Sequence, residues 1–125
     1  MKTHPITTLK NHLAKLNIEC DYNEHEPSLV IIFAEKDVDS IHNIDYKSIE
    51  ILHHPQKKQF YLSICTHFNC EDYYELPQCT VMHTKWPDDS IHIQLLTITL
   101  KYYIQASEAD LTLIDMLKNI HKKGN

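Results

Sequence analysis

Three cysteines and one histidine in the middle of the chain could together bind a zinc ion. They are Cys65, Cys70, Cys79 and His83. Thiolate and imidazole are ligands that Zn²⁺ prefers, and four of them complete the tetrahedral shell of a structural site. The residue types therefore predict a metal site with zinc as its cofactor. The alternative is that the cysteines are small buried residues, because Cys65 continues an alternating strand pattern.

The spacing of these residues supports zinc only in part. Three residues separate Cys79 from His83, a gap that some zinc fingers use, but the earlier gaps of four and eight residues are unusual for them. Two other interpretations stay open. One is a disulfide that includes Cys20. The other is a Cys/His catalytic pair, either Cys79 with His83 or Cys65 with His54, although no oxyanion hole is visible beside them.

The composition argues against phosphate and nucleic-acid chemistry. Gly124 is the only glycine, and the chain contains no arginine. Phosphate-binding loops and nucleophile elbows need glycines that let backbone N–H groups approach the ligand. Arginine is the usual bidentate reader of phosphate and guanine, and the net charge is −5. We therefore expect no nucleic-acid partner, assign no catalytic residue, and favour a protein that is not an enzyme.

The residues that could do chemistry lie between two helical segments. An apolar stripe at helical spacing predicts a helix over residues 5–16. Pro5 suits the first helical turn, and Asn17 can adopt the left-handed conformation that ends a helix, with Ile18 folding back onto the last turn. A second helix is predicted from about 108 to 122, with Ser107 as its N-cap.

Between the helices, apolar and β-branched runs predict strands. Four of them fall at residues 29–33, 49–52, 60–64 and 79–84. The segments between them are predicted to be polar connections, at residues 20–27, 35–45, 53–58 and 69–78.

Residues 91–104 are harder to assign. Their apolar positions alternate, with a change of phase at Leu95 and Leu96 that a β-bulge would explain, and this favours a fifth strand. A helix is the alternative, because Pro87 followed by two aspartates is also an acceptable helix start.

The order of elements predicts one α+β domain over residues 1–125. In it an antiparallel sheet of about five strands carries the N-terminal and C-terminal helices on one face. No apolar run is long enough to span a membrane, and no signal peptide is apparent. We therefore expect no membrane partner and a cytoplasmic location.

A sheet covered on one face would leave its other face available to another protein. The predicted partner-binding residues are the aromatic side chains Tyr61, Tyr73, Tyr74, Trp86, Tyr102 and Tyr103, because aromatic residues are enriched at protein interfaces. The leading hypothesis is a non-enzymatic protein-binding domain, such as a small acidic adaptor, chaperone or inhibitor, that binds a protein partner or a second copy of itself. The alternative is a zinc- or small-molecule-binding domain built on residues 65–83.

Overall fold

The computed structural model describes residues 4–37, 44–68 and 78–123. Its elements, in chain order, are α1 (Pro5–Lys15), β1 (Asp21–Asn23), β2 (Ser28–Asp37), β3 (Ile44–His54), a 3₁₀ turn (Pro55–Lys57), β4 (Gln59–Phe68), β5 (Gln78–Pro87) and α2 (Ser90–Lys123). The five strands form one antiparallel sheet in the order β1-β2-β3-β4-β5. The predicted α+β class is confirmed.

The first helix ends as its sequence predicts. Asn17 has a φ of 62°, in the left-handed region. The N–H of Ile18 donates to the carbonyl of Leu13 and the N–H of Asn17 donates to that of Ala14, both at 3.0 Å. These two bonds form a Schellman motif, which satisfies carbonyls that the helix itself leaves unpaired.

The sheet is a meander, since each strand pairs with the next one in the chain. Ile49 in β3, for example, lies between Ile31 in β2 and Ile64 in β4. The connection predicted at residues 53–58 contains the β3–β4 turn at Pro55–Lys57. Lys58 follows it in the left-handed conformation, with a φ of 52°, where turns often have glycine.

Both helices pack on one face of the sheet, which we call the inner face. The core contains alternate residues of the strands together with one stripe from each helix. Its large members are Ile6, Leu9, Leu13, Leu29, Ile31, Phe33, Ile49, Ile51, Phe60, Leu62, Ile93, Leu96, Leu100 and Ile104. Within the described parts of the chain, no helix combines the length and the apolar character needed to cross a membrane.

The strand predicted for residues 91–104 is wrong, because these residues form the first half of α2. Two apolar stripes at helical spacing lie on opposite sides of α2. Because their residues interleave along the sequence, apolar residues recur at nearly every second position, as they do in a strand. The two threonines of this segment are accommodated because the hydroxyls of Thr97 and Thr99 each donate to the carbonyl four residues earlier, at 2.8 Å. Asp89 starts the helix, since its Oδ1 accepts from the N–H of His92 at 3.0 Å.

Two further boundary predictions are corrected. Ser107 is not an N-cap, because it lies inside α2 and only 6% of it is exposed. The polar connection predicted at 20–27 contains β1, a short strand that local turn chemistry pairs with β2. In that turn Asn23 Oδ1 accepts from the N–H of His25 at 3.0 Å. The fifth strand is therefore β1, and the predicted count of about five is reached with a different member.

Candidate protein-binding surfaces

The face of the sheet opposite the two helices is covered by none of the described elements. We call it the outer sheet face. Register and strand alternation place on it Val30, Ile32, Ser48, Glu50, Leu52, Tyr61, Ser63, Cys65, Val81, His83 and Lys85. Three of its large apolar side chains stay well exposed: Ile32 at 48%, Val81 at 45% and Leu52 at 39%. The outer sheet face is therefore a mixed surface with apolar side chains spread across it.

Polar groups cross the middle of this face in one row. Glu50 pairs with Ser63 across β3 and β4, and Ser63 pairs with His83 across β4 and β5. The Ser63 hydroxyl and the Nδ1 of His83 lie 3.1 Å apart and form a hydrogen bond. This bond links β4 to the edge strand β5, and the His83 side chain stays exposed.

A shallow hollow of about 310 Å³ opens beside that row. Leu52, Tyr61, His83 and Lys85 contribute to its lining. The Lys85 ammonium lies 5.8 Å from the centre of the Tyr61 ring, within the range of a cation–π contact. The hollow thus offers an apolar floor with a cationic edge, and its volume is at the lower end of the range for ligand pockets.

The predicted zinc ligands are only partly described. Cys65 pairs with Val81 and Ser63 pairs with His83, so Cys65 and His83 are diagonal neighbours on the outer sheet face. Cys79 lies on the same edge strand, opposite His67, but its side chain is not described, and Cys70 lies outside the described residues. Among the side chains that are described, no group of three His, Cys, Asp or Glu residues could hold a metal ion. The four-ligand zinc site stays a prediction, which zinc analysis of protein purified without a nickel column tests.

The structure also bears on two other hypotheses about the cysteines, the Cys65–His54 catalytic pair and the disulfide. Cys65 pairs with Ser48 whereas His54 pairs with Gln59, so Cys65 and His54 are six positions apart along the paired strands. At the strand rise this is roughly 20 Å, too far for a catalytic pair. Cys20 and Cys65, the cysteines whose side chains are described, form no disulfide. Burial raises the pKa of Cys20 to about 11; the charge of Lys10 opposes this rise, and the charge of Asp21 adds a smaller increase.

The predicted aromatic residues are distributed over three places. Of the four that are described, Tyr61 lies on the outer sheet face. Trp86 packs against the core, and its Nε1–H donates to the carbonyl of His92 at 2.7 Å. Tyr103 also lies on the core side, with its ring 5.7 Å from that of Phe33. Tyr73 and Tyr74 lie outside the described residues.

The fourth aromatic residue, Tyr102, belongs to an apolar surface that strand-based reasoning missed. It lies on α2 in line with Ile91, Leu95 and Ile98, and we call these four residues the α2 outer stripe. They are 69%, 48%, 50% and 64% exposed for Ile91, Leu95, Ile98 and Tyr102 respectively. The signal was present in the sequence as a second set of positions at helical spacing, displaced from the core set.

A polar cluster at one end of the sheet brings the start of α1 into contact with the end of β3. The neighbouring residues His53 and His54 end β3 and point to opposite faces, because side chains alternate along a strand. The His54 ring contacts Tyr61 on the outer side, whereas the His53 ring lies on the inner side, 5.0 Å from the His4 ring. His4 caps α1, because its Nδ1 accepts from the N–H of Ile6 at 3.1 Å. Burial, and then the charge of His53, lower the pKa of His4 below 6.5.

A second cluster of ionisable side chains lies at the start of α2. The Asp89 carboxylate lies 2.6 Å from the Nδ1 of His92 as well as capping the helix. The backbone hydrogen bond from His92 is the main reason that the pKa of Asp89 is lowered. Both this pair and the His4 cluster therefore cap the starts of helices.

Comparison of the chain with protein-family models, with curated proteins and with solved structures gives no match.

Proposed function

We propose that this chain is a non-enzymatic protein-binding domain, of the kind found in small adaptors, chaperones and inhibitors, and that the outer sheet face is its contact surface. The observation that carries the proposal is the exposure of Ile32, Leu52 and Val81 on a sheet face that none of the described elements covers. These exposed apolar side chains lie on an uncovered sheet face, where another molecule can bury them.

The energy available from this face suits a reversible contact. Complete burial of a Val, Leu or Ile side chain contributes about 1.5–3 kcal/mol, and each of the three is about half exposed, so together they offer roughly 3 kcal/mol. The hollow beside Tyr61 adds a place where one side chain of the partner can anchor. Glu50, His83 and Lys85 supply polar contacts that fix orientation, which is how interfaces obtain specificity.

A photocrosslinking amino acid placed at Ile32 tests the proposal in native lysate. We expect a discrete crosslinked product that is lost when Val81→Glu is combined with the probe, because Val81 shares the face but lies on a different strand. The same probe at Glu24, in the exposed turn after β1, is the matched control and should give no such product. Equal products at both positions, or none at Ile32, would contradict the proposal.

A further inference from the structure

The first edge of the sheet is protected against the addition of another strand. There β1 is only three residues long, and β2 continues beyond it with a register shift between Phe33 and Lys36. Ala34, within that shift, has a φ of 53°, and charged residues follow at positions 35–37. Short strands, bulges and charges are the features with which proteins prevent edge strands from pairing. This edge is therefore a poor template for a further strand.

The opposite edge, β5, lacks these features over most of its length. It pairs with β4 over ten consecutive residues without a register shift, and it pairs with no other described strand. From Gln78 to Thr84 it contains no lysine, no acidic residue and no proline. Backbone N–H and C=O groups point alternately to the two sides of a strand, so about half of those in β5 point away from β4. This edge therefore offers a row of hydrogen-bonding groups that fits one kind of occupant, an extended strand.

Apolar side chains accompany that backbone row on both faces of the sheet. Met82 pairs with the core-facing Ile64 and so lies on the inner side, yet 57% of it is exposed. Val81, on the outer side, is 45% exposed. A strand added to β5 would contact both, since neighbouring strands lie about 4.8 Å apart. The occupant therefore gains hydrophobic burial as well as backbone hydrogen bonds.

A second copy of β5 meets these requirements when the two strands run antiparallel about a two-fold axis at Met82. Residues 78–86 of each strand then pair, with Met82 opposite Met82 of the second copy and Val81 opposite His83. Lys85 is the only lysine or acidic residue of the strand. In this register its two copies fall six positions apart, which is roughly 20 Å, so like charges do not meet.

Neighbouring registers are less favourable. An axis at His83 places two imidazoles opposite each other and brings Pro87, which has no N–H to donate, into the paired stretch. An axis at Val81 shortens the paired stretch to residues 78–84. The axis at Met82 therefore combines the longest pairing that excludes the proline with an apolar contact at its centre.

We infer that two copies of this chain pair through β5, antiparallel about a two-fold axis at Met82, so that the five strands of each copy form one continuous sheet. A second copy is the occupant because every molecule that exposes this edge carries the same edge, which complements itself in this register, as in other isologous interfaces. The axis is perpendicular to the sheet, so both outer sheet faces lie on the same side. The pairing does not depend on the proposed function, but it places two of the proposed contact surfaces side by side.

A matched pair of substitutions locates the interface. Met82 is 57% exposed on β5 and Ile98 is 50% exposed on α2, so lysine at either position adds the same charge at similar exposure. Analytical ultracentrifugation should show a concentration-dependent dimer for the native chain and for Ile98→Lys. Met82→Lys should be monomeric, because like charges directly opposite each other destabilise a strand pair. Circular dichroism confirms that each variant is folded.

A disulfide tests the register. Residues directly opposite in antiparallel strands have Cα atoms about 4.5–5.5 Å apart, a distance that a disulfide spans. Met82→Cys should therefore form a covalent dimer linked through position 82 under mild oxidation. Thr84→Cys is the control, since in this register the two copies of that residue lie four positions apart, roughly 13 Å. Peptide mass spectrometry identifies the linked residues and so distinguishes this disulfide from any that the native cysteines form.

Three results would overturn the inference. A native chain that stays monomeric at several hundred micromolar does not pair through this edge. A dimer that persists in Met82→Lys pairs through another surface. A disulfide that forms as readily in Thr84→Cys as in Met82→Cys shows that the strands do not adopt this register. The crosslink proposed at Ile32, which lies on β2 away from this edge, should persist in Met82→Lys, so a failure of the pairing is distinguishable from a failure of the proposed function.

Discussion

The carboxylate of Asp88 lies 2.8 Å from the Nε2 of His53, and this hydrogen bond joins the end of β3 to the turn that starts α2. Only 7% of the His53 side chain and 18% of the Asp88 side chain is exposed. The other ring nitrogen of His53, Nδ1, is buried without a hydrogen-bond partner. Asp88 is therefore the polar partner that makes the burial of His53 tolerable.

Removal of that partner should destabilise the fold. Asp88→Ala leaves both nitrogens of a buried imidazole unsatisfied, which costs about 1–3 kcal/mol in free energy of unfolding. Urea denaturation measures the change. Asp21→Ala, at an exposed position in β1, is the control and should change stability little. A loss in Asp88→Ala no greater than in the control would show that the hydrogen bond is unimportant.

The stability of the protein should depend on His4 in mildly acidic solution. The folded pKa of His4 is lowered from 6.5, so the unfolded chain takes up the proton first. The stabilising contribution is thus fully present above pH 6.5 and is lost as the pH falls through the folded pKa. His4→Asn keeps a capping acceptor but does not titrate, so its unfolding free energy should fall less between pH 7.5 and 5.5. His25→Asn, in an exposed turn, is the matched control; a profile of His4→Asn identical to that of the native chain would refute the assignment.

The two adjacent leucines of α2 should respond differently to truncation. Leu96 is 1% exposed in the core whereas Leu95 is 48% exposed on the outer stripe. Leu96→Ala creates a cavity and should cost about 2–5 kcal/mol, but Leu95→Ala should cost less than about 1 kcal/mol at protein concentrations where the chain is monomeric. Thermal or urea unfolding of both variants checks this. Equal losses would favour some other arrangement of residues 91–104.

The thiol of Cys20 should react slowly in the folded protein. Its pKa is raised from 9.0 to about 11, so the thiolate fraction near pH 8 falls about a hundredfold. Alkylation with iodoacetamide, followed by peptide mass spectrometry, should show that Cys20 reacts about a hundredfold more slowly in buffer than in 8 M urea, because its thiolate fraction is lower by that factor. A rate in buffer within threefold of the rate in urea would show that the thiol is not held in the buried environment.

Local signals predicted much of the fold correctly. Pro5 occupies the first turn of α1, and the N–H groups of Asn17 and Ile18 at its end bond to carbonyls three and five residues earlier. The strand at 60–64 alternates cleanly because one face meets the core and the other does not. Such features can be predicted from the sequence, because residues close to them along the chain determine the local structure.

Tertiary packing decided the rest. Residues 91–104 carry apolar side chains on two sides of a helix, and the combined sequence pattern resembles that of a strand. In the folded protein, only the inner stripe is buried against the sheet. The bond between Asp88 and His53, and the separation of Tyr61 from Tyr103, depend on which strand becomes the neighbour of which. The sequence by itself determined the α+β class, the two ends of α1 and the approximate positions of β2 to β5. Only packing decided which apolar stripe is buried, because burial depends on a partner surface that periodicity cannot identify.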